Sequence, residues 1–143
     1  MPRESSPGWV YGPLFSMYVP AGHIAGTSQI VYLEALTLGF KCAVEAVTFV
    51  QDIALVGSSG SQTINVRKGA STGTVLVDLT LLEAASGIGT VSRATVDAGD
   101  QDDAYLRSDA DTISIEMAAS GTAFSAGEGT LTVWGRSRPQ AAN

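Results

Sequence analysis

Cysteine and histidine each occur once in this sequence, as Cys42 and His23. A lone cysteine excludes an intrachain disulfide, which suits a reducing compartment or an assembly that needs none. A zinc site would have to draw on His23, Cys42 and carboxylates, and these do not stand at ligand spacing. His23, in PAGHIAG, reads as a surface loop residue, and Cys42 as a small buried hydrophobe. Charge is scarce too: Asp, Glu, Lys and Arg make up 15% of the chain, against a usual ~25%. The eight basic residues are scattered, and the net charge is −6. Phosphate backbones are therefore poor partners, and no nucleic-acid binding is expected. No apolar run approaches the ~18 residues of a membrane-spanning helix, so no membrane partner is expected. The longest apolar stretch, 42–56, is broken by Glu45, Thr48, Gln51 and Asp52. No apolar run follows Arg3 in MPRESSPGW, so no secretory leader is expected.

What the chain does have is 45% hydrophobic residues over a length of 143. That length favours one domain, able to bury about 68–70% of its unfolded surface. Low charge beside high apolar content has two physical explanations. Much of the surface faces other protein, or a small β-domain holds a large core. Composition leaves both open.

Four of the five prolines (Pro2, Pro7, Pro13, Pro20) fall in the first twenty residues, beside Trp9, Tyr11, Phe15 and Tyr18. Proline removes a backbone donor and fixes φ, which excludes a helix or a central strand. The expectation is an extended N-terminal arm over 1–28, preceding a β-sandwich domain over 29–143. Such an arm wraps its own domain or grips a neighbouring subunit. A disordered tail fits less well, since disorder prefers fewer aromatics.

From residue 29 the pattern is strands. QIVYLEALTL (29–38) mixes β-branched and aromatic residues. KCAVEAVTFVQDIALVG (41–57) is long for one strand, and its alanines admit a helix. Its Val, Thr, Phe and Ile residues favour one long bent strand, or two joined by a bulge. QTINVR (62–67) places Ile64 and Val66 on one face. TVLVDLTLL (74–82) places Val75, Val77, Leu79 and Leu81 together. TVSRATV (90–96) is a further candidate strand. TISIEMA (112–118) turns Ile113, Ile115 and Met117 inward, with Ser114 and Glu116 outward. TLTVWGR (130–136) sets Leu131 and Val133 against Thr132 and Trp134. Short strands with turn signals at this spacing indicate an all-β sandwich or barrel.

Catalysis requires a nucleophile with a base, a paired acid and base, or a metal. No such set is visible, so the sequence reads as non-enzymatic, with no cofactor and no small-molecule substrate. The glycine-rich stretches VGSSGSQ, KGASTGT and SGIGT lack the phosphate-loop pattern and fit β-turns. The acidic stretch DAGDQDDAYLRSDAD (97–111) is the one metal candidate. Its Asp97, Asp100, Asp102 and Asp103 do not match the EF-hand spacing, which needs glycine and glutamate at fixed later positions. It reads as a solvated acidic loop, with a looser cation site or a contact to a basic partner as alternatives.

GFKCAVEAVTFVQD, QTINVRKGASTGTVL and DADTISIEMAASGTAFSAGEGTLTVWGR together resemble small jelly-roll proteins of tailed-phage virions. In these, a (G/D)-D-x-(I/V)-x-(I/V) turn starts a late strand, and a glycine-rich loop leads into a last strand like LTVWGR. Here Ala110-Asp111-Thr112-Ile113-Ser114-Ile115 takes that position, with alanine where glycine is common. The resemblance spans roughly 39–136 and is nearest to capsid decoration, or cement, proteins. It implies a jelly-roll-like β-sandwich and a non-enzymatic homotrimer on the outer surface of a virion, made in the host cytoplasm. Such a protein bridges neighbouring capsomers by binding the major capsid protein. Trp9, Tyr11, Phe15 and Tyr18 are the expected anchors to capsid or to the next protomer. The rival expectation is a carbohydrate- or receptor-binding module of a head fibre or tail, with Tyr105 and Trp134 stacking on sugar rings.

Overall fold

The computed structural model describes residues 9–19, 30–56, 61–82, 88–96, 99, 104–106, 111–118 and 126–138. Nine strands appear there: β1 Val10–Val19, β2 Ile30–Leu36, β3 Lys41–Val56, β4 Ser61–Lys68, β5 Thr74–Leu82, β6 Val91–Thr95, β7 Tyr105–Leu106, β8 Ile113–Ala118 and β9 Ala126–Arg138. Every pairing is antiparallel, and four of the pairs nest. β4 pairs with β5, β3 with β6, β2 with β8 and β1 with β9. The chain folds back between β4 and β5 and returns beside itself as a double ribbon. Two further pairings, β3 with β9 and β4 with β8, gather the ribbon into sheets. The first sheet has the order β1-β9-β3-β6, with β7 also on β3; the second has the order β2-β8-β4-β5. The protein is an all-β sandwich.

Period-2 alternation sends one set of side chains from each sheet into a shared core. Val47, Phe49, Leu131 and Val133 come from the first sheet; Ile64, Val66, Leu79, Ile115 and Met117 come from the second. Each such side chain contributes about 1.5–3 kcal/mol when fully buried. β3 stays in phase with this core only through irregularities. Cys42 and Val44 point inward, and then the register against β9 slips between Val44 and Ala46. The extra residue, Glu45, moves the inward set to Val47, Phe49 and Gln51. A one-residue slip exchanges the two faces of a strand, and a bulge confines the exchange to one point. The long bent strand expected at 41–57 is thus present.

Of the placements expected for the N-terminal segment, Val10–Val19 takes the one on its own domain. It is edge strand β1, registered with β9 from Val10↔Ser137 to Val19↔Gly129. Its prolines rule out a central strand, but an edge strand leaves half its donors unpaired in any case. Pro13 sits at the register shift between residues 13 and 15. Residues 10–19 therefore add an edge strand to the first sheet. Residues 1–8 and 20–29, including His23, lie outside the described residues.

β9 runs between β1 and β3, and its glycines permit the close approach. A Cβ on Gly135 would lie 2.0 Å from the Ala43 carbonyl oxygen, whereas nothing lies within 4 Å of one on Gly12. Gly135→Ala is therefore expected to destabilise the fold by about 1–3 kcal/mol, the usual cost of overpacking. Gly12→Ala is expected to leave the urea midpoint unchanged or slightly raised. Equilibrium urea unfolding of the two variants beside the parent checks this contrast.

Candidate functional site

The outward-facing positions of the first sheet form rungs across four strands. Tyr18, Thr130, Val50 and Val91 make one; Ser16, Thr132, Thr48 and Arg93 the next; Pro13, Trp134, Ala46 and Thr95 a third. Arg93 is the one charged residue in these three rungs. Beyond them lie Tyr11, Arg136 and Ala43. The polar groups satisfy each other across strands. Ser16 and Thr132 share a hydroxyl hydrogen bond of 2.9 Å. The Trp134 indole N–H donates to Thr48 Oγ1 at 2.8 Å, which lays the ring over the sheet. Tyr11 stacks beside it at 6.3 Å between centroids.

This surface is rich in exposed apolar groups. Tyr11 is 52% exposed, Tyr18 51% and Val91 58%. Ile88, just before β6, is 81% exposed. The Tyr18 hydroxyl donates to the Glu128 carboxylate. That bond, and then slight burial, push its pKa up to about 12, so the phenol stays neutral.

The four aromatic residues expected to act as anchors divide. Tyr11 and Tyr18 lie on the open face. Phe15 is half-buried and packs against the core. Trp9 meets Tyr105 at 5.7 Å with the rings tilted.

At one end of the same face the partner of β3 changes from β6 to β7. β6 reaches Thr95 opposite Ala46, and β7 resumes on that edge with Tyr105 opposite Ala43. The flanking bonds run from Val96 N–H to the Glu45 carbonyl and from Val44 N–H to the Ala104 carbonyl, both 2.9 Å. A groove of about 470 Å³ opens here, lined by Glu45, Arg93, Thr95, Val96 and Arg136. The β3 bulge aims Glu45 into it, where its carboxylate meets Arg136 Nε at 2.7 Å. Both partners are open to solvent, so this pair adds at most about 1 kcal/mol.

A second polar cluster sits on the outer face of the other sheet. Glu116 is 1% exposed. Its Oε1 accepts from Asn65 Nδ2 at 2.7 Å and Arg67 Nε at 3.0 Å. Arg67 Nη1 continues to the Gly73 carbonyl at 2.7 Å. Ser114 Oγ donates to the Gly69 carbonyl at 2.6 Å and accepts from Ala35 N–H at 2.8 Å. Glu34 accepts from Ser71 N–H at 2.8 Å. The cluster ties the 69–73 turn to β2 and β8. Tyr32 borders it; burial, and then the Glu116 charge, hold its hydroxyl above the ordinary tyrosine range. Removing one member of such a buried pair typically costs about 3–5 kcal/mol, because the other charge is left uncompensated. The outward placement of Ser114 and Glu116 is as expected, but both are covered rather than solvated.

Among the described residues no group of three or more His, Cys, Asp or Glu lies together. Asp97, Asp100, Asp102 and Asp103 lie outside the described residues, so the weak cation candidate is not located. Comparison with known proteins finds no match to a family model, a curated protein or a solved structure.

Cys42 lies in β3 with no exposed surface. Burial pushes its thiol up from 9.0 to about 11. A thiolate is the reactive form, so the folded protein is expected to resist iodoacetamide at pH 8 and to react once unfolded. The raised value also has a sign for stability. The neutral thiol is favoured in the fold, so its contribution is complete below pH 9 and lost as pH rises toward 11. Alkylation of the native protein at the rate of a free thiol would contradict the placement.

Proposed function

We propose that this protein is a structural virion subunit that decorates and stabilises the icosahedral capsid of a tailed phage. It acts as a homotrimer bound to the major capsid protein on the outer surface, after synthesis in the host cytoplasm. The fold in this reading is a jelly roll. The nested pairs β4·β5, β3·β6, β2·β8 and β1·β9 are those of a double ribbon rolled into two sheets, and they support that assignment.

The observation that carries the reading is the outer face of β1-β9-β3-β6. A water-facing antiparallel sheet is normally polar and charged on its open side. Here three successive rungs hold Tyr, Val, Thr, Ser, Trp, Pro and Ala, with a single arginine on β6 at the sheet edge. Depletion of charge with enrichment of aromatics is the composition of an interface core. Each aromatic buries about 150–250 Å² on contact, and a trimer multiplies individually weak contacts. Bridging capsomers requires no chemistry, so the role is non-enzymatic and needs no cofactor. Of the four aromatic residues, Tyr11 and Tyr18 serve as anchors. Trp9 steadies Tyr105, and Phe15 supports the face from inside.

The carbohydrate-binding alternative gains little. Trp134 already has Tyr11 beside it and its N–H engaged, and Tyr105 already meets Trp9. Less of either ring is open to a sugar.

Tyr11→Ser combined with Tyr18→Ser is expected to reduce capsid affinity at least about tenfold, with the far-ultraviolet circular dichroism unchanged. Occupancy on purified particles, read by densitometry, measures it. Unchanged occupancy would sink the docking role of this face, and a sugar-dependent rise in Tm would favour the carbohydrate module.

A further inference from the structure

We propose that the groove between β6 and β7 is a carboxylate-recognition pocket that takes an acidic side chain of a protein partner seated on the outer face of the first sheet. The inference rests on reading that face as a docking surface. Two guanidinium groups and one carboxylate line the groove, Arg93, Arg136 and Glu45. Arg136 is committed to Glu45 at 2.7 Å. Arg93 has no ion pair or hydrogen bond among the described residues. Among the described residues one positive charge is therefore left over, in a chain whose net charge is −6.

The position of Arg93 makes that charge consequential. Arg93 ends the rung of Ser16, Thr132 and Thr48, on β6 at the border of the uncharged surface. A partner that covers these rungs also strips water from Arg93. Covering an unpaired guanidinium is unfavourable unless the partner brings an anion to that point. The pocket therefore selects among partners as well as attracting one, because an uncharged surface of the same shape leaves Arg93 unsatisfied.

The anion is a carboxylate rather than a phosphate. A single negative charge neutralises the single surplus positive one, and a carboxylate matches the planar fork of arginine donors. A polyphosphate or nucleic acid meets the long-range repulsion of an acidic protein. The Arg136–Glu45 pair shows the same recognition made within the chain. Thr95, exposed at the rim, offers a hydroxyl to the second carboxylate oxygen.

The test is a titration of the full-length, ¹⁵N-labelled protein followed by NMR. The probes are the capped peptide Ac-Gly-Glu-Gly-NH₂, its glutamine counterpart and inorganic phosphate. The glutamyl peptide is expected to shift the Arg93 Nε–H and the Thr95 and Val96 amides saturably. The glutamine peptide is expected to bind at least fivefold more weakly (about 1 kcal/mol), and Arg93→Gln to abolish the response. Equal responses to both peptides, or none, would overturn the proposal. Tighter binding of phosphate would overturn it in favour of a phosphate site. A fall in Tm for Arg93→Gln, with no peptide response in the parent, would overturn it by placing the partner of Arg93 within the chain. The titration needs no virus particle. Failure of the virion reading shows in particle occupancy, and failure of the pocket shows in the peptide shifts.

Discussion

The ladder between β3 and β9 is the contact on which the rest of the molecule depends. It runs from Lys41↔Arg138 to Val56↔Ala126, joining the first half of the described chain to its last strand. β1 has β9 as its partner, and β6 and β7 both hang on β3. Without this ladder the first sheet has neither a centre nor an outer face. The glycines of β9 make it possible. At Gly129 a side chain would collide with the Val50 carbonyl and the Phe49 ring, and at Gly135 with the Ala43 carbonyl. Such long-range pairing gives no return until distant segments have met, so topologies of this kind fold slowly relative to helical ones.

The same ladder shapes the candidate site. β3 carries one residue more than β9 between Val44 and Ala46. That residue, Glu45, restores the inward phase for Val47 and Phe49 and is itself turned out beside Arg136. The change of partner on the β3 edge from β6 to β7 falls at the same place, beside the groove. A packing requirement in the core and a charged pocket at the surface thus share one irregularity. The face next to it stays flat and nearly uncharged, because Ser16, Thr48, Thr132 and Trp134 answer each other across strands.

The strands of the second half were legible wherever one face is core and the other is not. In 130–136 the expected inward Leu131 and Val133 are buried, and in 113–118 so are Ile113, Ile115 and Met117, together with the outward Ser114 and Glu116. In 74–82 Val77, Leu79 and Leu81 are buried as expected, but Leu76 is buried in place of Val75, because the register against β4 shifts there. β1 was not legible as a strand. Prolines and aromatics argue against regular structure in general, and only the position at a sheet edge, beside a register shift, makes room for Pro13. β7 is two residues long and leaves no period to read. The covering of Glu116 was missed because an outward carboxylate normally meets water, and its partners Asn65 and Arg67 lie on another strand. Likewise Glu45, Arg93 and Arg136 meet only through the registers of three strands. The aspartates of 97–103 lie outside the described residues, and the described candidate site is aromatic and nearly uncharged.

The proposed function rests on the outer face of the first sheet being covered by protein in a homotrimer. The mass of the full-length chain in solution, from light scattering after size exclusion with and without EDTA, tests this most directly. The account predicts a species of three times the 14.7 kDa chain mass, unchanged by EDTA. A monomer in both conditions would contradict the trimeric virion subunit, and a trimer that dissociates in EDTA would transfer the assembly from the sheet face to a bound cation.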